Sequence, residues 1–237
     1  MNNPKRSVPY HIQGNFASYT KKLSLSFEQT ALSEGDYLLS PQIKTRETYF
    51  IKEGIAAFGV SEAGKERIIC FIGKNQFIPL PYKNGGISPF NYKGIFVKAQ
   101  TPLKLIKLPP SACEELLKEE AFTAKALDSL SELSALLLYT NMTLSFKEPF
   151  ERICAFISEY TTTLIPLGIR LSQQQIAGIA GTTLLEVART LRYLRDRGCI
   201  STSLKMITIL DAVKFEELRK IGKREKTSLA QASGELA

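Results

Sequence analysis

The spacing of apolar and polar residues changes twice along this chain of 237 residues. Between residues 26 and 115, short apolar segments alternate with turn signals such as Glu34-Gly35-Asp36 and Asn84-Gly85-Gly86. Strands at this spacing are typical of an all-β sandwich or barrel. We therefore predict a β domain over this range, preceded by an irregular polar arm at residues 1–25.

A long helix is predicted over residues 116–146. Five of its residues recur at alternating intervals of three and four, like the a and d positions of a coiled coil: Leu130, Leu133, Leu137, Thr140 and Leu144. Leu136 and Leu138 widen this stripe, so two interpretations stay open, a helix buried in a core and a seam between two copies of the chain. We favour the seam, and predict a homodimer with Leu130, Leu133, Leu137 and Leu144 in its interface.

Residues 147–221 are predicted to form a separate helical domain. Lys147-Glu148-Pro149 interrupts the long helix, and proline is tolerated in the first turn of the helix that follows. Residues 222–237 are polar and small, which predicts a disordered tail.

Two capped helices joined by a glycine, the first of them short, are predicted inside this domain. Ser172 with Gln175 and Thr183 with Glu186 form two capping boxes, each of which starts a helix. Gly181 lies between them and can adopt the positive φ of a tight turn. Two capped helices joined in this way are a helix-turn-helix, and a predicted hairpin at residues 200–209 would be its wing.

The inventory of reactive residues argues against catalysis. The only histidine is His11, in the predicted arm, and the four cysteines lack the spacing of a zinc site: Cys70, Cys113, Cys154 and Cys199. Because a catalytic triad or a histidine metal site cannot be assembled, we predict no enzyme, no metal and no cofactor, and rank an enzyme built on the β domain last. The cysteines are interpreted as buried, reduced thiols, with a redox switch as the alternative.

Charge and hydropathy indicate the class of partner. The formal net charge is +8 and the pI is about 9.3, a surplus that favours polyanions such as nucleic acid. No apolar run approaches the length of a membrane span, and no apolar stretch follows the basic N-terminus. We therefore expect a cytoplasmic location, with no membrane partner.

The predicted helix-turn-helix suggests how double-stranded DNA is bound. The first turns of a recognition helix meet base edges in the major groove, and arginine offers a planar fork that matches guanine. Arg189 is the predicted base reader, and Arg192 lies on the same arginine stripe. Contacts to phosphates, which position the helix without reading sequence, are predicted for Thr183, Ser172, Gln173 and Lys205.

The run from Gly181 to Leu191, GTTLLEVARTL, resembles the recognition helix G-T-T-R-E-T-V-S-R-T-L of the Crp/Fnr superfamily of bacterial transcription regulators. The segments TYFIKEGIAAF and EAGKERIICFIGKNQFI resemble the β-roll of that superfamily. The resemblance implies an α+β fold with an N-terminal antiparallel, cupin-like β-roll, a long dimerisation helix and a C-terminal winged helix-turn-helix. It also implies a homodimer on a two-fold symmetric operator, with RNA polymerase as a further candidate partner.

The chain departs from the superfamily at several sites. Leu184 and Leu185 replace the usual arginine and glutamate of the recognition helix, and leucine can contact only a thymine methyl. Pro79-Leu80 and Lys93-Gly94-Ile95 replace the phosphate-binding residues of the cyclic-nucleotide sensors, so we expect no binding of cyclic AMP. The N-terminal cysteines of the iron–sulfur branch and the β-roll histidine of the haem branch are missing as well.

Five aromatic and cationic residues in one loop form a candidate effector site: Tyr82, Lys83, Phe90, Tyr92 and Lys93. With Leu137 and Leu138 of the long helix, they would suit a small aromatic anion. The chain loosely resembles the branch of the superfamily that senses halogenated aromatic acids. Two alternatives stay open, an ordinary solvated loop and a regulator without an effector, in which the β-roll only supports dimerisation.

Overall fold

The computed structural model describes residues 10–40, 47–81, 94–203 and 206–220. The chain divides into two compact units, Met1–Tyr139 and Thr140–Ala237. The first unit contains the predicted β domain and the second contains the predicted helix-turn-helix. Among the described residues, no helix combines the length and the hydropathy that crossing a membrane requires.

The first unit is built on two packed β-sheets. Its strands are β1 (His11–Ile12), β2 (Gln29–Leu32), β3 (Tyr37–Leu39), β4 (Thr48–Glu53), β5 (Ala56–Glu62), β6 (Lys65–Ile72), β7 (Phe77–Ile78), β8 (Ile95–Ala99) and β9 (Leu103–Leu108). They form one sheet in the order β1-β6-β5-β8-β3 and another in the order β2-β9-β4-β7. All the pairs are antiparallel except β1 with β6.

Helices dominate the rest of the chain. They are α1 (Thr20–Ser26), α2 (Pro110–Leu116), α3 (Glu120–Phe146), α4 (Pro149–Glu159), α5 (Gln173–Ala180) and α6 (Leu184–Asp196). A π-helical turn covers Tyr160–Leu164, and β10 (Ile200–Ser203) pairs with β11 (Met206–Ile209) before a last helical stretch at 212–220. Two sheets, a long helix and a C-terminal helix-turn-helix confirm the predicted α+β fold class.

The β domain has two hydrophobic clusters, and α3 contributes to both. Leu136 packs with residues of both sheets, including Ile51 and Val97, while Leu133 packs against the edge of the same cluster. Phe122 belongs to the second cluster, where its ring centroid lies 5.1 Å from that of Phe16. The first half of α3 is therefore a structural part of the β domain.

The expectation of an irregular N-terminal arm is wrong for the described residues 10–25. They form β1, a 3-10 helix at Ala17–Tyr19 and most of α1. Phe16 and Leu23 are fully buried, and His11 is only 6% exposed. The error has a physical cause. Phe16, Tyr19 and Leu23 are spaced three and four residues apart, but mostly polar residues separate them, and the cluster that buries them is assembled from distant parts of the chain.

A buried polar network fixes this N-terminal segment between α3 and the sheets. The Asn15 side-chain amide donates to the Lys125 carbonyl oxygen at 3.0 Å, and Ser129 Oγ donates to Asn15 Oδ1 at 3.3 Å. The side-chain amide of Gln76 in turn donates to Ser129 Oγ at 3.2 Å. A Cβ at Gly14 would lie 2.0 Å from backbone atoms of Asn75, so this close approach requires glycine.

Candidate nucleic-acid interface

The first helix of the predicted motif, α5, begins with a closed capping box. The Gln175 backbone N–H donates to Ser172 Oγ at 3.2 Å, and the Ser172 backbone N–H donates to Gln175 Oε1 at 2.9 Å. Ile176 and Ile179 are both buried, as the spacing predicts. The capping hydrogen bonds of its first turn and the burial of its apolar face thus stabilise α5.

The turn after α5 favours glycine for two reasons. Gly181 has a φ of +59°, in the left-handed region that favours glycine. A Cβ there would lie 2.4 Å from Leu144 Cδ2 and 3.4 Å from Arg152 Nη1. The end of α3 and the first turn of α4 therefore close over the turn of the motif. Sequence reasoning missed Leu144 and Arg152 in this role, since no local signal links them to Gly181.

The second helix, α6, begins at a cap that is only half of the predicted box. Thr183 Oγ1 accepts a hydrogen bond from the Glu186 backbone N–H at 3.2 Å, as predicted. The Glu186 carboxylate does not return to the Thr183 backbone, however, and instead contacts Arg189 Nη1 at 3.4 Å. The arginine one turn further along offers a charged donor, which binds a carboxylate more strongly than a neutral N–H does.

The outward face of α6 carries the predicted base-reading residues together. Leu184 and Leu185 are 46% and 56% exposed, and the Arg189 side chain is 66% exposed. Arg192 is also exposed, whereas Val187, Leu191 and Leu194 are buried on the opposite face: all three are less than 4% exposed. Apolar packing on one side of α6 thus leaves a face that is free to enter a groove.

The predicted phosphate contacts lie around the ends of these elements. Thr183 and Gln173 are exposed at the first turns of α6 and α5, and Ser172 is half-buried. The β10–β11 pair, with Ile200 opposite Ile209, confirms the predicted wing hairpin. Lys205 lies outside the described residues.

Comparisons with known proteins identify this geometry. Residues 151–218 match the model of the Crp-like helix-turn-helix domain. The global nitrogen regulator of Nostoc sp. is 29% identical over 181 residues, covering 71% of this chain and 79% of the relative. The Crp-like helix-turn-helix domain and these relatives support the resemblance to the Crp/Fnr superfamily. This chain is a DNA-binding transcription regulator, and its relatives are likewise regulators rather than enzymes, in agreement with the prediction.

Solved structures show the same fold across most of this chain. A CooA mutant from Carboxydothermus hydrogenoformans has a TM-score of 0.64 at 18% identity, covering 86% of this chain and 91% of that one. A Crp/Fnr-family transcriptional regulator from Thermus thermophilus has a TM-score of 0.61 at 20% identity, with coverages of 81% and 98%.

The candidate effector residues are only partly described. The five loop residues, Tyr82, Lys83, Phe90, Tyr92 and Lys93, lie outside the described residues. Leu137 and Leu138 of α3 are 43% and 66% exposed. The effector site stays a prediction.

The predicted seam residues of α3 fall on two different faces. Leu130 and Leu137 are exposed by about half of their surface, whereas Leu133 packs against the β domain and Thr140 is 9% exposed. The exposed apolar side chains of the helix are Leu127, Leu130, Leu137, Leu138, Met142 and Phe146. The predicted heptad therefore combines residues that face the β domain with residues that are exposed, so its members cannot all lie in one seam.

The four cysteines are free and buried. Burial raises the pKa of both Cys70 and Cys154 to about 12, which keeps these two thiols protonated at neutral pH. Burial also lowers the pKa of His11. These environments favour the interpretation of inert core cysteines over that of a redox switch.

We predict that Gly181→Ala destabilises the second unit and weakens specific DNA binding. The positive φ should cost about 1 kcal/mol, and displacing the Leu144 side chain should cost up to about 1 kcal/mol more. The measurements are the free energy of unfolding by urea and the affinity for a selected operator.

Gly198→Ala is the matched control, since Gly198 has a φ of +68° at the end of α6 and nothing within 4 Å of its Cβ position. It should show only the cost of backbone strain. Equal losses of stability in the two variants would contradict the account of close packing at Gly181.

Proposed function

We propose that this Crp/Fnr regulator reads a two-fold symmetric operator with Arg189 as its main hydrogen-bonding base reader. The observation that carries the proposal is the outward face of α6, where an exposed arginine lies one turn beyond two exposed leucines. Arginine donates two hydrogen bonds to guanine O6 and N7, and Leu184 and Leu185 can contact thymine methyls. Each half-site should therefore contain one dominant guanine flanked by thymines.

The remaining predicted contacts would position α6 rather than read bases. Ser172, Thr183 and Gln173 lie at helix N-termini, where backbone N–H groups and the helix dipole favour phosphate. Arg192 and Lys205 would add attraction that is independent of sequence. Because DNA is the partner, we assign the protein to the cytoplasm, with RNA polymerase as a candidate second partner.

Arg189→Ala and Lys205→Ala should have different effects, although each removes one positive charge. Arg189→Ala should cost about 1–3 kcal/mol on the operator and lose discrimination mainly at the guanine. Lys205→Ala should weaken all sequences alike and make the slope of log K against log salt shallower by about one. Site selection from random DNA and salt titrations measure both effects. If Arg189→Ala weakened operator and random DNA equally, Arg189 would be a phosphate contact.

A second copy of this chain is the proposed partner of α3. The helix has 27 residues, so it is about 40 Å long. Its inward face packs in the β domain, while Leu127, Leu138 and Met142 are each at least 60% exposed on another face. A helix that is apolar on two faces requires a partner on each. A dimer formed by two such helices also supplies the two reading heads that a symmetric operator requires.

The inward packing of the helix refines the proposed seam. Leu130 and Leu137 remain in it, joined by Leu127, Leu138 and Met142. Leu133 already packs on the β domain, and Leu144 lies beside the Gly181 turn, so these two are expected to contribute less.

Leu138→Asp should convert the dimer into a monomer, because each copy would bury one unpaired charge in the seam. Sedimentation velocity at micromolar concentration measures the change. Leu25→Asp is the control, since Leu25 is 80% exposed on α1 and lies outside the proposed seam. A wild-type protein that sediments as a monomer would rule the seam out.

A small-molecule effector other than cyclic AMP is the proposed signal, bound by the loop with Tyr82, Lys83, Phe90, Tyr92 and Lys93 and by Leu137 and Leu138. The chemistry of these residues supports an aromatic anion. The similarity to a global nitrogen regulator supports a second candidate, a metabolite that reports nitrogen status. A regulator without an effector is the alternative.

A thermal-shift screen of both classes of metabolite tests the effector. A ligand at 100 times its Kd should stabilise the folded protein by about 2.7 kcal/mol, and therefore raise its Tm. Lys83→Ala and Lys93→Ala should remove the shift. A ligand whose affinity is unchanged in both variants would place the effector site elsewhere, and cyclic AMP should give no shift.

A further inference from the structure

The side chain of Glu186 contacts a different group from its counterparts in the two preceding helices. Glu151 in α4 and Gln175 in α5 occupy the same third helical position, and each returns to the backbone of its N-cap residue. In α6 the N-cap accepts from the Glu186 backbone, but the carboxylate of Glu186 contacts Arg189 instead. One member of this contact is the residue proposed to read guanine.

The contact leaves the arginine able to bind a base. Residues three apart on a helix are neighbours, and Glu186 Oε1 lies 3.4 Å from Nη1 of Arg189. A guanidinium has five N–H donors, so the Nε and Nη2 edge stays available for a bidentate contact. The two side chains are 35% and 66% exposed, with the carboxylate the more buried of the two. The carboxylate also lies in the first turn of α6, where the helix dipole favours a negative charge.

We propose that Glu186 is a positioning residue, which holds the Arg189 guanidinium in the orientation that donates to guanine. The proposal rests on the proposed role of Arg189. An unrestrained arginine loses several rotamers when it binds, whereas one already held by a carboxylate loses fewer. The two residues at the start of α6, Leu184 and Leu185, have no polar atom in their side chains with which to hold it.

The same carboxylate should weaken binding to DNA in general, because it repels phosphate. Removing its charge should therefore affect the affinity for random DNA and the preference for the operator differently. Binding to random DNA should stay constant or tighten, while preference for the operator should fall. If Glu186 only stabilised the helix, its removal would change the affinities for random DNA and for the operator by the same factor.

The test uses Glu186→Gln in the full-length protein. Glutamine has nearly the same shape and keeps the backbone N–H that Thr183 caps, so the helix should form, as far-UV circular dichroism can verify. Asp196→Asn is the matched control, because it removes one negative charge from the exposed last residue of the same helix, about 15 Å away along the axis. Fluorescence anisotropy at fixed salt measures the affinities for a selected operator and for random DNA.

We expect Glu186→Gln to lower the ratio of the affinity for the operator to the affinity for random DNA by roughly 3- to 10-fold. The reason is that an unrestrained arginine side chain loses more conformational entropy when it binds guanine. Asp196→Asn should leave the ratio unchanged. In an Arg189→Ala background, Glu186→Gln should have no further effect on the ratio, because the two residues act as a unit.

Three results would overturn the inference. If Glu186→Gln behaved like Asp196→Asn, or if its effect added fully to that of Arg189→Ala, Glu186 would not position the arginine. If site selection with Glu186→Gln kept the guanine and lost a cytosine, Glu186 would itself be a base reader. These results leave the role of Arg189 intact, whereas a wild-type protein with no sequence preference would refute the proposed function first.

Discussion

The fold depends on burying one face of α3 in the β domain. Phe122 fills an aromatic cluster with Phe16, and Leu136 completes the core between the two sheets. Without this helix, apolar side chains from both sheets would face water, at a cost of about 1.5–3 kcal/mol for each one fully exposed. The same helix continues to Phe146 with a second set of apolar residues, which its own chain leaves exposed. This second set of exposed apolar residues is the physical reason for proposing that a second copy of the chain packs against α3.

A second constraint acts in the DNA-binding unit, where three helices close around one glycine. The turn at Gly181 approaches Leu144 of α3 and Arg152 of α4 so closely that a methyl group on Gly181 would displace the Leu144 side chain. The turn between α5 and α6 is therefore packed against residues that lie far from the motif in the sequence.

Three reactive side chains of the described residues lie in environments that favour their neutral forms. Burial keeps Cys70 and Cys154 protonated, and it favours the neutral form of His11. On the surface of α6, Leu184 and Leu185 lie where the Crp/Fnr recognition helix that this segment resembles has an arginine and a glutamate. Because these side chains lie on the face proposed to meet the bases, changing them should alter which sequence is read.

The sequence by itself determined those features that depend on residues close to each other in the chain. The capping box of Ser172 and Gln175, the left-handed Gly181 and the β10–β11 hairpin all follow from local hydrogen bonding and backbone sterics. Tertiary structure decided which apolar residues of α3 face inward, because Leu133 and Leu137 look alike in the sequence but differ in what packs against them. It also decided that Phe16 and Leu23 are core residues, since the cluster that buries them comes from distant segments. Tertiary structure also decided that the Glu186 carboxylate contacts Arg189 and not the backbone of Thr183. Both groups lie within its reach, so the spacing of residues does not predict which of them it contacts.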